Sequence, residues 1–107
     1  LFENWVLTEL LKGRGARGKD DLFYFWRSHI RHEVDIIAEQ GTRLAPIEAK
    51  SGATFHPDWI KALNKWRELA GAECTTPALV YGGAKKQIRA GIAVVPWTHI
   101  GELADRV

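Results

Sequence analysis

The stretch "EVDIIAEQGTRLAPIEAK", residues 33–50, holds two runs of strand-forming residues, "EVDIIAE" (33–39) and "LAPIEAK" (44–50), separated by Gly41-Thr42. A two-residue loop with glycine at its first central position is the pattern of a type II′ hairpin turn. In that register residue 35 lies opposite residue 48, so two acids, Asp35 and Glu48, face each other across the pair. Their Cβ atoms are then about 4.5–5.5 Å apart, where like charges destabilise a sheet. Lys50, two residues beyond Glu48, projects from the same face, and so does Glu33. A one-residue slip would turn Asp35 and Glu48 to opposite faces.

Working outward, "LFENWVLTELLK" (1–12) has helical apolar spacing and is expected to end at the glycines of "GRGARGK" (13–19). "LFYFWR" (22–27) reads as a strand with both faces buried. "HPDWIKALNKWRELAG" (56–71) carries proline near its start, glycine at its end and apolar groups at 59, 63, 66 and 70, an amphipathic helix. "ALVYGG" (78–83) and "IAVVPW" (92–97) read as strands joined by a basic turn, "AKKQIRAG" (84–91). The expected order is α-β-β-β-α-β-β, an α/β fold with a central mixed sheet flanked by helices.

Hydrophobic residues at 46% and charged residues at 26% exclude disordered, collagen-like and membrane classes. A length of 107 residues fits one domain, 1–107. No apolar run approaches the roughly 18 residues that span a bilayer, and no charged-then-apolar leader is expected. The single cysteine, Cys74, excludes an internal disulfide and a cysteine-based zinc cluster, and a cytoplasmic setting is expected. With no methionine, the chain is expected to be part of a longer protein.

The first helix adds to the carboxylates. Phe2, Val6, Leu7, Leu10 and Leu11 share an arc, and Glu3 falls near its middle, whereas Glu9 sits at its edge. Three acids against one lysine leave negative charge uncompensated. A divalent cation held by Glu3, Asp35 and Glu48 would balance it, and oxygen donors suit Mg²⁺ or Mn²⁺ rather than zinc. Such an ion would support attack on a phosphodiester, with Lys50 as the catalytic lysine orienting water or neutralising charge on phosphorus. The competing arrangement is a plain structural network in which Lys50 or Arg27 pairs the acids.

Glu3, Asp35 and Glu48-Ala49-Lys50 form an E … D … E-x-K pattern that resembles the PD-(D/E)XK nuclease superfamily, with its restriction-endonuclease-like fold. More narrowly, "LFENWVLTELL", "FYFWR", "HEVDIIAE", "APIEAKSG" and "VVPW" resemble the C-terminal module of predicted AAA+ superfamily ATPases of bacteria and archaea. The resemblance implies Glu3, Asp35 and Glu48 as metal ligands, Lys50 as the catalytic lysine, DNA as substrate and an ATPase domain N-terminal to this one in the same polypeptide. Val34 stands before Asp35 where the superfamily motif has proline. No phosphate-binding G-x-x-x-x-G-K-[ST] loop occurs, and "GGAKK" (82–86) lacks its spacing and hydroxyl, so nucleotide hydrolysis would lie outside these residues.

Two basic patches are candidates for phosphate contact: Arg14 and Arg17 in "KGRGARGK" (12–19), and Lys85, Lys86 and Arg89. Solvated loops are the alternative for both. His29 and His32 are expected at the surface. Trp59 and Trp66 are assigned to the core, and Trp5, Trp26 and Trp97 to packing, although an exposed tryptophan could stack on a base. Three functions follow: a metal-dependent deoxyribonuclease domain, a catalytically inactive nuclease-like accessory domain that contacts protein or nucleic acid, and a sensory domain closing on a small ligand.

Overall fold

The computed structural model describes residues 2–16, 23–26, 34–40, 43–75 and 77–106. Arg17, Arg27, His29, His32, Glu33, Gly41 and Thr42 lie outside the described residues, and of Glu3, Arg14, Trp26 and Asp35 only the backbone is described. The elements run α1 (Phe2–Ala16), β1 (Phe23–Trp26), β2 (Val34–Gln40), β3 (Arg43–Lys50), α2 (Lys61–Ala70), β4 (Ala78–Tyr81), β5 (Gln87–Arg89), β6 (Ile92–Pro96) and α3 (Ile100–Arg106). Single 3₁₀ turns at Pro57–Ile60, Gly71–Glu73 and Trp97–His99 flank α2 and precede α3.

Among the described residues, six strands make one mixed sheet in the order β1-β2-β3-β4-β6-β5. β1, β2 and β3 form an antiparallel meander, β3-β4 and β4-β6 are parallel, and β5 returns antiparallel on β6. The β2-β3 register is the expected one: Gln40 pairs Arg43, Ala38 pairs Ala45 and Ile36 pairs Ile47. The parallel strands β4 and β6 are covered on both faces, which is why "ALVY" and "IAVVP" are continuous apolar runs without alternation.

Two apolar clusters sandwich the sheet. Val6 and Leu10 of α1 and Ile100 and Leu103 of α3 pack on Ile36, Ala38, Ala45, Ile47, Ala49, Ala78 and Val80. Leu63 and Trp66 of α2 pack on the opposite face, against Ile37, Leu79, Tyr81, Ile92 and Val94. The result is a three-layer α/β/α arrangement. Pro57 opens the turn into α2, and His56 Nδ1 accepts the Asp58 N–H at 3.1 Å. Lys61 holds the Asp58 carboxyl below the usual carboxylate range by a 2.8 Å ion pair.

Four expectations need correction. α1 continues past Gly13 and Gly15 to Ala16, because glycine in a helix costs only about 1 kcal/mol, whereas proline removes a donor and clashes. Leu11 is 48% exposed, since the buried stripe follows Val6 and Leu10. The basic segment 84–91 is not merely a turn. It contains β5, which closes on β6 through Ala90-Gly91, both with positive φ (51° and 79°). Finally α3, absent from the expected order, forms the second helix on the α1 face, giving α-β-β-β-α-β-β-β-α.

Candidate functional site

Strand alternation fixes where the E-x-K residues go. Ile47 and Ala49 face α1 and α3, so Glu48 and Lys50 project to the α2 side. Glu48 is 4% exposed, while the Lys50 side chain remains 41% exposed at the end of β3. Lys50 Nζ stands 3.8 Å from Glu48 Oε1. That is a charge contact rather than a hydrogen bond, and the lysine can reach outward. In the parallel pair Glu48 lies beside Leu79 and Lys50 beside Tyr81. The buried acid therefore has an aliphatic neighbour on β4, and the lysine a phenol.

Asp35 is one residue beyond the Ile36-Ile47 pair on β2, as Glu48 is on β3, and its side chain lies outside the described set. The same holds for Glu3. Its helix packs on the face opposite to Glu48, but the first turn of α1 reaches the right end of the sheet. Phe2 and Trp5 line a groove there with Ser51, the residue after Lys50. Glu48 offers oxygen to a hard cation such as Mg²⁺ or Mn²⁺. Among the described residues no group of three His, Cys, Asp or Glu side chains gathers, and the other two expected ligands, Glu3 and Asp35, are outside that set.

The basic residues divide. Lys86 Nζ pairs with Glu102 of α3 at 2.9 Å. Lys85 is exposed, and its backbone is anchored to Tyr81: the phenol donates to Lys85 O (2.6 Å) and accepts from Lys85 N (3.1 Å). Gln87 Nε2 also donates to the Tyr81 hydroxyl oxygen at 3.3 Å. Tyr81 thereby ties the connection from β4 to β5 to the strand position next to Lys50. Arg89 lies over the Phe55 ring, 5.1 Å from its centroid, and its Nε donates to Gln87 Oε1. Arg14 belongs to α1, with its side chain outside the described residues, and Arg17 lies outside them entirely.

Sequence reasoning passed over Tyr81 and Gly82, whose only signal was the "YGG" that ends β4. Gly82 N–H donates to Gly52 O at 2.9 Å, and a Cβ on Gly82 would come within 2.2 Å of Ser51 O. The segments leaving β3 and β4 thus touch backbone to backbone just beyond Lys50. Trp66 is buried as expected, and Trp59 packs against the same cluster. Trp5 and Trp97 pack against each other edge to face, as assigned, yet stay 36% and 45% exposed. Cys74 is half-buried, and burial pushes its thiol up despite nearby Arg67. That makes it a poor nucleophile. No helix among the described residues is long and apolar enough to cross a membrane.

No curated protein and no solved structure matches this chain. The model of a family described as a domain of unknown function, DUF4143, matches residues 1–100. On a match spanning nearly its whole length, the chain belongs to the DUF4143 family.

Proposed function

We propose that this domain is a metal-dependent phosphodiesterase acting on DNA, with a PD-(D/E)XK, restriction-endonuclease-like site where β2 begins and β3 ends. One observation carries the proposal. The hairpin register sets position 35 of β2 level with position 48 of β3, and Lys50 stands on the same face as the buried Glu48, 3.8 Å away and open to solvent. Glu48, with Asp35 and Glu3, would hold Mg²⁺ or Mn²⁺, which supplies Lewis acidity at a phosphoryl oxygen and activates water. Lys50 neutralises the charge that develops on phosphorus. The domain would work as the C-terminal part of an AAA+-type ATPase polypeptide in the cytoplasm.

Isothermal titration with Mn²⁺ should give heat for the wild type and none for Asp35→Ala or Glu48→Gln. Mn²⁺-dependent cleavage of DNA should be abolished by the same changes and by Lys50→Ala, while Lys50→Ala still binds the ion. No heat from the wild type, or cleavage indifferent to all three substitutions, overturns the proposal.

A second function is favoured by the same contact seen differently. Lys50 gives Glu48 an internal counter-ion, so the frame could persist without chemistry as an accessory domain contacting protein or nucleic acid. Lys50→Ala separates the two. If the pair is structural, removing the lysine takes a cation from beside the buried Glu48 and costs stability, whereas a lysine kept for chemistry is removed with stability held or raised.

A further inference from the structure

Trp5 and Trp97 leave large ring surface in solvent at the end of the sheet that carries Lys50. They are not scattered. Phe2 stacks on Trp5 with ring centroids 6.1 Å apart and planes 23° from parallel, and Trp5 meets Trp97 edge to face at 5.9 Å. With Ser51 and Gly82 these rings line an open groove of about 390 Å³, within the size range of small-ligand clefts. Gly82, with no side chain, lies against Ser51 O.

The groove is joined to the candidate site by the chain itself. Ser51 lines it, and Ser51 follows Lys50, whose Cα is about 3.8 Å away across one peptide. Alternation sends Lys50 to one side of the strand end and Ser51 to the other. The lysine and the rings therefore flank the same strand end from opposite faces of the sheet, and a nucleic-acid strand passing round that end meets both. A base presents a π-face to such a platform only when it is unstacked, and aromatic platforms bind single strands with little sequence preference.

We propose that the Phe2–Trp5–Trp97 groove takes a base of an unpaired strand whose phosphate backbone runs on past Lys50, so that the site acts on single-stranded or frayed nucleic acid in preference to duplex. The inference rests on the phosphodiesterase proposal and adds the form of its substrate.

The test is a titration of tryptophan fluorescence in purified protein with single-stranded oligothymidylate and with a duplex of equal length, Ca²⁺ replacing Mn²⁺ to limit cleavage. Single strand should quench and bind about tenfold or more tightly than duplex, and Trp97→Ala should lose roughly tenfold in affinity, as expected for one stacked base. Trp97→Phe should restore most of it. Trp97 is exposed, so both variants should melt with the wild type, which circular dichroism checks. Equal affinity for duplex overturns the inference, as does binding unchanged in Trp97→Ala. So does a self-associated dimer, seen by sedimentation, that Trp97→Ala dissolves. Strand binding that depends on Trp97 without any Mn²⁺-dependent cleavage would sink the phosphodiesterase proposal instead, whereas cleavage with no preference for single strands would sink only this one.

Discussion

Gly82 shows how one missing side chain can hold a site in register. Its amide donates to Gly52 O, and any Cβ would collide with Ser51 O at 2.2 Å. The obstacle is backbone, which cannot rotate away as a flexible side chain would. Gly82→Ala must push Ser51, and with it Lys50, out of line. Forcing a methyl into packed surroundings costs roughly 1–3 kcal/mol, and urea denaturation should show a loss of that size. Activity should fall further than stability, because the displaced segment adjoins the lysine. Glu48 and Lys50 were legible from "IEAK" as neighbours on one face, since alternation puts them there, but not which helix layer that face meets. Tyr81 was not. Its hydroxyl serves Lys85 and Gln87, contacts that exist only once the β4-β5 connection folds back.

At the scale of elements, the β5-β6 hairpin depends on a turn that its residues only half favour. Ala90 and Gly91 both take positive φ, as a two-residue turn of the I′ kind requires, and a left-handed alanine costs about 1–2 kcal/mol. Arg67 of α2 offsets part of this. Its Nη2 donates to Ala90 O at 2.8 Å and to Asn64 Oδ1 at 2.6 Å, so α2 clasps the hairpin from the sheet's other end. Ala90→Asn should raise the melting temperature by roughly 4 °C, from about 0.5–1 kcal/mol of relieved strain. No change, measured by scanning calorimetry, would mean that Arg67 already absorbs the strain. The hairpin was hard to find in sequence because Ala-Gly lacks the Asn-Gly signal and β5 is only three residues long. The β2-β3 hairpin, with longer strands, could be read in its register.

In the whole molecule, α3 completes the layer that α1 begins. Ile100 and Leu103 join Val6 and Leu10 over the same face of the sheet, and Leu103 is 2% exposed. Leu103→Ala should destabilise by about 2–5 kcal/mol, the range for a buried leucine, and guanidinium unfolding would read it. A loss under about 0.5 kcal/mol, ordinary for a surface position, would mean that α3 is an appendage rather than part of the core. The same layer explains the exposed tryptophans: α3 begins right after the Trp97–His99 turn, which leaves Trp97 on the rim beside Trp5 instead of beneath a helix.

The sequence by itself determined the antiparallel meander, its register and the shared face of Glu48 and Lys50, because period-two alternation is a local property; that this face turns to α2 rather than α1 was decided by packing. It also determined α2, through its apolar spacing. Tertiary structure alone decided that β4 and β6 run parallel to β3, that a short basic segment becomes an edge strand, that α3 shares a face with α1 and that two tryptophans stay in solvent. Those outcomes depend on which surfaces are left to be covered after the local elements form, and that is a property of the packed whole.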